Sequence, residues 1–316
     1  MKKVSIMVPC YNEEENVVPM SRALVEQMER LPQYDYEILF IDNCSQDKTR
    51  ELLRGICAEN PKIRAIFNSK NFGQFNSPYH AICQTTGDCT ITVCCDFQDP
   101  IDMIPKFLAE WEAGHKVVIG IKTSSKESKL MYLLRSIYYK MIRKMSSVEQ
   151  IEHFTGFGLY DKSFVAVLRD LDDPTPFIRG IVAELGPNIK KIDYEQAKRR
   201  AGKTSNNFFS LYDAAMLSFT SYTKVGLRMA SFLGMFMCGG SFLSALVCVL
   251  LKILDMVGVL PGDWLTTGTA AIILTILFVG GLQLFFIGFA GEYIMSTNTR
   301  MMKRPLVVEE ERINFD

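Results

Sequence analysis

Length, composition and charge exclude several classes of protein. The chain has 316 residues, 48% of them hydrophobic, so it can form a large α/β domain together with a more apolar part. Its 35 Lys and Arg residues balance 35 Asp and Glu residues, which leaves no overall basic charge for nucleic acid. Its nine cysteines contain no C-x-x-C pair, which argues against structural zinc and against a disulfide scaffold.

The N-terminal part alternates apolar runs with amphipathic segments, a pattern typical of a parallel sheet built from βαβ units. We predict strands over 3–8, 37–41, 63–68, 90–95 and 116–121, and helices over 14–31, 48–60, 75–86 and 104–113. Three of these strands end in polar clusters. Ligands in open α/β sheets bind at the carboxyl ends of the strands, so we expect the clusters to meet in one crevice.

The first two clusters are Pro9 to Glu13 and the segment 42–49, in which Asp42 is a candidate acceptor for a nucleobase N–H or a ribose hydroxyl. Each cluster is also consistent with ordinary helix-start chemistry. The chain contains no G-x-G-x-x-G motif and no P-loop lysine motif, so the usual residues for dinucleotide and ATP binding are lacking.

The third cluster is the most informative segment of the chain. A run of apolar residues breaks at Asp96, Gln98 and Asp99 before Pro100, as expected where a buried strand ends at a ligand site. On an extended backbone the side chains of Asp96 and Gln98 point the same way, and their oxygens suit one divalent cation. An acidic loop without a ligand is the alternative, and Asp99 is expected to be structural.

Two apolar segments without a charged residue, about 229–251 and 265–290, dominate the C-terminal third. Each exceeds the roughly 20 residues that span a bilayer, although buried core helices are the alternative. Lys and Arg flank the outer ends of the pair and are lacking from the turn between them, so the positive-inside rule predicts that both termini are cytoplasmic. The expected organisation is a cytoplasmic domain over 1–227, two transmembrane helices within 228–295 and a cytoplasmic tail over 296–316, disordered after Pro305.

Two further segments are candidates for interfacial helices, near 128–147 and near 206–224. In the first, apolar residues recur at helical spacing while Arg135 and Arg143 lie off the apolar stripe. A surface helix packed on the sheet is the alternative.

Taken in order, the polar clusters join other short segments in one pattern. These segments are Val8-Pro9-Cys10-Tyr11-Asn12-Glu13, Ile41-Asp42-Asn43-Cys44-Ser45, Asn71-Phe72-Gly73, Asp96-Phe97-Gln98-Asp99-Pro100, Phe157-Gly158-Leu159, Phe177-Ile178-Arg179-Gly180, Arg200-Ala201-Gly202-Lys203-Thr204-Ser205 and Gly291-Glu292-Tyr293. The pattern resembles the family 2 inverting glycosyltransferases of GT-A fold, and within them the polyprenyl-phosphate glycosyltransferases related to dolichyl-phosphate mannose synthase and the GtrB-type bactoprenol glucosyltransferases.

The resemblance implies a donor site for a UDP- or GDP-sugar formed by Pro9, Tyr11, Glu13, Asp42, Asn71, Asp96 and Gln98. Asp96 and Gln98 would hold Mg²⁺ or Mn²⁺. An acceptor phosphate would be bound by Arg200, Lys203 and Ser205, in the segment that resembles the family's R-x-x-G-x-S motif, and further by Arg179, Arg135 and Arg143. Asp96 and Arg200 are the expected catalytic residues.

The implied reaction is transfer of a hexose, with inversion, to undecaprenyl phosphate at the bacterial inner membrane, for modification of a cell-envelope glycan. A homotetramer is implied as well. The sequence departs from the family pattern at Cys94 and Asn43, where aspartates are usual. A thiol is a poor ligand for Mg²⁺. The alternatives are therefore a catalytically degenerate membrane scaffold that binds nucleotide sugar, and a membrane glycosyltransferase with a different lipid acceptor.

Overall fold

The computed structural model describes residues 1–123, 151–201, 216–217, 219–220, 225–258, 269–302 and 304–315. These residues form two compact units. The first comprises 1–123, 151–201, 216–217, 299–302 and 304–315, and the second comprises 219–220, 225–258 and 269–298. The predicted interfacial helix near 128–147 lies outside the described residues, as does most of the one near 206–224. The predicted domain bounds stay a prediction.

A mixed, mostly parallel sheet forms the centre of the first unit, in the order β7-β5-β6-β4-β1-β2-β3-β8. Its strands are β1 (Lys2–Cys10), β2 (Tyr34–Asp42), β3 (Ile63–Asn68), β4 (Cys89–Thr92), β5 (Val117–Lys122), β6 (Phe154–Asp161), β7 (Ile189–Tyr194) and β8 (Glu309–Ile313). Only β6 and β8 run antiparallel to their neighbours among the described pairs. The predicted α/β class with a mostly parallel sheet is confirmed.

Helices cover both faces of this sheet. They are α1 (Val17–Glu29), α2 (Thr49–Glu59), α3 (Gly73–Gln84), α4 (Met103–Glu112), α5 (Lys162–Leu171) and α6 (Ile178–Leu185). Along β2, Ile38 and Phe40 pack in the core on one face while Leu39 and Ile41 pack on the other. Burial on both faces explains why this strand is a continuous apolar run rather than an alternating one.

Each strand and helix predicted in the first 121 residues is present, and β3 has the predicted bounds. The prediction for β4 is wrong at its end, because regular pairing stops at Thr92 and not at Cys95. The backbone N–H of Cys94 donates to the Asp99 carboxylate at 3.0 Å instead of to a neighbouring strand. This contact supports the expectation that Asp99 is structural.

The prediction of a disordered tail after Pro305 is also wrong. Residues Glu309–Ile313 form β8, which pairs antiparallel with β3 at the edge of the sheet. The edge strand supplies backbone partners, and the carboxylates of Glu310 and Glu311 pair with Arg50 and Arg54 of α2. These ion pairs offset the repulsion between the neighbouring glutamates, which is the feature that suggested disorder in the sequence.

Glu37 of β2 is the centre of a buried charge cluster. Its carboxylate is almost inaccessible and pairs with Lys3 at 2.6 Å and with Arg64 at 3.0 Å. It also accepts hydrogen bonds from Ser5 and Thr86. Burial by itself raises the pKa of Glu37, but the hydrogen bonds from Lys3, Ser5 and Thr86 outweigh it and leave the pKa below its ordinary value.

The second unit contains two long helices, α7 (Val225–Met256) and most of α8 (Thr269–Met301). By length and composition, the described residues contain one segment fit to cross a membrane, Phe278–Met301, with 24 residues and a mean hydropathy of 1.4. It overlaps the second predicted span, 265–290, and ends closer to the C terminus. The first predicted span, 229–251, lies within α7, and its crossing of a membrane stays a prediction.

Candidate functional site

The three polar clusters leave the sheet at one edge, where β1, β2 and β4 end. Cys10 is paired with Asp42 across β1 and β2, and Met7 with Thr92 across β1 and β4. One residue in each following loop has a positive φ: Asn12 at 55°, Cys44 at 64° and Phe97 at 61°. Residues other than glycine rarely adopt this conformation, and such residues concentrate at functional sites. The three clusters therefore follow neighbouring strand ends at one edge of the sheet, and their meeting in a ligand crevice stays a prediction.

The first and second loops are locked together by hydrogen bonds. The backbone N–H of Asn12 donates to Ser45 Oγ at 2.8 Å, and that of Gln46 donates to Asn12 Oδ1 at 2.8 Å. The N–H of Glu13 donates to the hydroxyl of Thr49, the buried first residue of α2, at 2.8 Å. These hydrogen bonds join the loop after β1 to the loop after β2. We call the two joined loops the frame.

Asp42 lies at the base of this frame and is completely buried. Its Oδ2 accepts from the Ser45 N–H at 3.1 Å and lies 3.4 Å from Arg50 Nε. Its Oδ1 has no hydrogen-bond partner within the described part of the chain. Burial raises the pKa of Asp42, while the Ser45 hydrogen bonds and the Arg50 charge act in the opposite direction. A buried acceptor without a partner is costly unless a ligand supplies a donor.

Asn43 anchors the loop after β3. Its side-chain NH₂ donates to Asn71 Oδ1 at 2.9 Å and to the Gly73 carbonyl at 3.2 Å. Its Oδ1 accepts from Asn68 Nδ2 and from the Phe72 N–H. A carboxylate has no donor for the first two contacts, so the amide at position 43 suits this network. Asn71 itself is exposed beside the frame.

Asp96 is buried in the third loop, and its carboxylate forms an ion pair with Arg199. Its Oδ2 lies 2.9 Å from Arg199 Nη2, and its Oδ1 accepts from the Gln98 N–H at 3.1 Å. The positive φ of Phe97 shows that the backbone between Asp96 and Gln98 is not extended, so that part of the sequence argument is wrong. The two residues are instead joined by a turn that the Asp96 side chain closes.

Arg199, which sequence reasoning missed, makes the contact expected of a site cation. Arg200, predicted as catalytic, donates its backbone N–H to the Asp96 carbonyl at 3.2 Å, and its guanidinium lies over the Phe97 ring at 5.2 Å. The R-x-x-G spacing was an available sign, because Arg199 rather than Arg200 stands three residues before Gly202. Lys203 and Ser205 lie outside the described residues.

Glu13 and Asn16 join the segment of Arg199 to the first loop. Asn16 Nδ2 donates to Glu13 Oε2 at 2.6 Å and to the Ala201 carbonyl at 3.3 Å. Burial raises the pKa of Glu13, with the Asn16 hydrogen bond and the Arg199 charge opposing it. Carboxylates from two loops and a guanidinium from a distant segment therefore meet at the end of the sheet.

Cys94, at the position where the resemblance implies an aspartate, is exposed. Desolvation, ahead of the charges of Asp99 and Asp96, raises the pKa of its thiol above the ordinary value. The thiol is therefore neutral at pH 7 and adds no negative charge beside Asp96.

The remaining predicted site residues lie partly beside these loops and partly elsewhere. Pro9 lies within β1, paired with Ile41, and Tyr11 is exposed at the start of the first loop. Arg179 lies in the first turn of α6, with its guanidinium 4.9 Å from the Phe177 ring. Arg135 and Arg143 fall outside the described residues.

Comparison of the sequence with known proteins finds relatives over nearly the whole chain. The chain is 29% identical over 304 residues to the prophage bactoprenol glucosyl transferase homolog of Escherichia coli (strain K12), covering 96% of this chain and 97% of that protein. It is 29% identical over 311 residues to the bactoprenol glucosyl transferase of Shigella phage SfX, covering 98% and 99%.

Among solved structures, mannosyl-3-phosphoglycerate synthase from Rubrobacter xylanophilus is similar with a TM-score of 0.48 and 16% identity, over 84% of this chain and 79% of that one. The sequence profile of Glycosyl transferase family 2 matches residues 5–170, which include the three loops of the site. The chain therefore belongs to the family 2 glycosyl transferases and is a glycosyltransferase.

Proposed function

We propose that the protein transfers a hexosyl group from a nucleoside diphosphate sugar to a polyprenyl phosphate at a bacterial membrane. The observation that carries this proposal is a pair of buried carboxylates: Asp42 at the end of β2 and Asp96 in the loop after β4, the two strands on either side of β1. One has a buried acceptor oxygen without a partner among the described residues, which an N–H of a nucleoside would satisfy, and the other suits the cation of a diphosphate. The bactoprenol relatives, matched over nearly their full length, support the lipid acceptor.

The donor nucleoside would lie against the frame of the first two loops. Asp42 Oδ1 would accept an N–H of the base, which removes the cost of its unpartnered burial. Tyr11, exposed at the rim, is available to cover the base. Asn71 would border the same pocket through the loop that Asn43 anchors.

A divalent cation fits the third loop if the donor supplies most of its ligands. The described residues contain no group of three or more His, Cys, Asp or Glu side chains that could hold a metal ion. Magnesium in nucleotide sites is commonly bound by one or two carboxylates together with phosphate oxygens, and Asp96 with Gln98 matches that demand. When bound, the cation would neutralise charge on the leaving diphosphate.

The acceptor needs little help from a protein base. A phosphate monoester has a second pKa near 6, so at pH 7 it is largely a dianion and already nucleophilic. Its oxygen would attack the anomeric carbon as the bond to the diphosphate breaks, which inverts the configuration and releases a nucleoside diphosphate. Arg199, Arg200 and Lys203 would hold the acceptor phosphate against the negative charge of the donor.

The membrane topology belongs to the same proposal. The candidate span Phe278–Met301 supports attachment to a membrane, and we propose that 229–251 forms a second span, so that the catalytic domain and both termini are cytoplasmic. This topology would bring the site to the surface where a polyprenyl phosphate presents its head group.

The test is an assay with defined components. Purified protein is incubated with radiolabelled UDP- or GDP-sugars, undecaprenyl phosphate and Mn²⁺, and label is counted in the organic phase. We expect lipid-extractable label with one donor, loss of it in Asp96→Asn, and none when diacylglycerol replaces undecaprenyl phosphate. Absence of lipid-linked label with every common donor would refute the proposal, and label on diacylglycerol would favour the alternative acceptor.

A degenerate scaffold is the second candidate, and the neutral Cys94 beside Asp96 favours it. The two candidates differ in the response to substitution. Turnover in the wild-type protein that Asp96→Asn abolishes rejects the scaffold. Turnover that appears only after Cys94→Asp supports it.

A further inference from the structure

The last strand of the chain is firmly attached to the donor end of the sheet. In β8, Glu311 is paired with Phe67 of β3, and the Ser69 N–H donates to the Val308 carbonyl at 2.9 Å. Just beyond the strand, Asn314 Nδ2 donates to the Cys57 and Ile63 carbonyls at 2.8 and 2.7 Å. Both ends of β8 are thus tied to the edge formed by α2 and β3.

Two acidic residues of β8 pair with two arginines of α2. Arg50 Nη2 lies 2.7 Å from Glu310 Oε2, and Arg54 Nη2 lies 2.6 Å from Glu311 Oε2. Both guanidinium groups lie over the Phe67 ring, at 5.2 and 4.8 Å from its centre. The two ion pairs are matched in partner type and position, but Arg54 donates to Glu311 through both Nε and Nη2, whereas Arg50 meets Glu310 through Nη2 alone.

Of these two ion pairs, that of Arg50 with Glu310 extends to the site. The same guanidinium that meets Glu310 lies, through Nε, 3.4 Å from Oδ2 of the buried Asp42. Arg50 side-chain exposure is 20%, against 45% for Arg54, so Arg50 is held between a surface carboxylate and an interior one. The contact with Asp42 is an ion pair without a hydrogen bond, since Nε forms no hydrogen bond within the described part of the chain. It depends on the extended planar guanidinium, which can face two carboxylates at once, whereas lysine has a single nitrogen.

The consequence for Asp42 is a fixed orientation. Ser45 and Arg50 both approach Oδ2, which leaves Oδ1 without a partner among the described residues. If Arg50 were released, the carboxylate would lose the contact with a charged group that distinguishes its Oδ2 from its Oδ1. Resting on the proposed function, we propose that Arg50, held by Glu310 of the C-terminal strand, is a positioning residue that orients Asp42 for the donor nucleoside.

The experiment compares a nucleotide with a ligand that lacks the nucleoside. Dissociation constants for UDP, GDP and inorganic pyrophosphate, each with Mn²⁺, are measured by calorimetry on full-length Glu310→Gln, Arg50→Lys and the matched control Glu311→Gln. For the nucleotide that binds the wild type, we expect affinity to fall about fivefold in Glu310→Gln and about tenfold in Arg50→Lys, and to stay unchanged in Glu311→Gln.

Pyrophosphate reports on folding, because it would bind at Asp96 and not at Asp42. We expect its affinity to be the same in all variants, and in an Asp42→Asn background we expect Glu310→Gln to cause no further loss of nucleotide affinity. Equal losses in Glu310→Gln and Glu311→Gln, a parallel loss of pyrophosphate affinity, or unchanged nucleotide binding would each overturn the positioning role. A wild-type protein that binds neither UDP nor GDP would overturn the proposed function, and this role with it.

Discussion

Replacing Arg199 by glutamine should increase the affinity of the protein for Mn²⁺ while lowering its turnover. Arg199 lies 2.9 Å from the Asp96 carboxylate that would meet the cation, so the guanidinium and the metal ion compete for the same oxygen. Mn²⁺ affinity should rise because the Arg199 charge no longer competes for Asp96. Turnover should fall because the same charge would hold the acceptor phosphate.

The size of the effect follows from the geometry of the pair. A hydrogen bond between charged groups contributes about 1.5–3 kcal/mol. The Arg199 side chain is 28% exposed and Asp96 is 7% exposed, so solvent weakens the pair and we take about 1–2 kcal/mol. Since 1.4 kcal/mol is a factor of ten, Mn²⁺ should bind Arg199→Gln about 5- to 30-fold more tightly than the wild type.

The assay is electron paramagnetic resonance of free Mn²⁺ in a titration without nucleotide, where Arg199 can contact no phosphate. Lys198→Gln is the control, because Lys198 carries the same charge one residue away and is exposed. Unchanged or weaker Mn²⁺ binding in Arg199→Gln, or an equal gain in Lys198→Gln, would refute the competition. The kcat for lipid-linked product is measured on the same preparations.

Three further predictions concern the sheet and its loops. Glu37→Gln should lower the free energy of unfolding by about 2–3 kcal/mol at pH 7, since its Lys and Arg partners lose a buried counter-charge but retain some solvent contact. Because the folded protein lowers the pKa of Glu37, the difference in unfolding free energy between wild type and variant is complete above the ordinary glutamate pKa of 4.5 and shrinks as the pH falls below it. Denaturant unfolding curves that differ equally at pH 7 and pH 3 would contradict this. Asn43→Asp removes the hydrogen bonds donated to Asn71 and Gly73, so it should lower the free energy of unfolding by about 1–2 kcal/mol and speed amide hydrogen exchange over 69–73. Unaltered exchange in that segment would exclude an anchoring role for Asn43. Asp96→Asn should lower kcat at least about 100-fold with little change in melting temperature, and a parallel fall of both would indicate misfolding instead.

The sequence predicts the first half of the fold well because its strands are buried on both faces. Such strands are apolar runs bounded by polar turns, and β3 is recovered with its own bounds. By contrast, β6 contains Gly156 and Gly158, which weaken any strand pattern. A Cβ at Gly158 would lie 2.6 Å from the Val118 carbonyl, so close packing of β5 and β6 requires the glycine. That requirement is visible only once the partner strand is known.

The strand β8 and the cation Arg199 were missed for a related reason. The acidic run of β8 has no apolar face, and its order depends on Arg50 and Arg54, more than 250 residues earlier in the chain. Arg199 approaches Asp96 from a segment with no strand or helix, so no periodicity marks it. Local patterns predict which loops form the site, and long-range charge pairs determine which side chain meets which.

The position of β8 at the far end of the chain has a consequence for protein synthesis. Until residues 309–313 have been synthesised and can pair, β3 presents an unpaired edge with Phe67 and Ile66, and Arg50 and Arg54 of α2 lack Glu310 and Glu311. The first unit is therefore completed only after both long helices have been translated, and a nascent chain that has not reached β8 lacks the ion pair of Arg50 with Glu310.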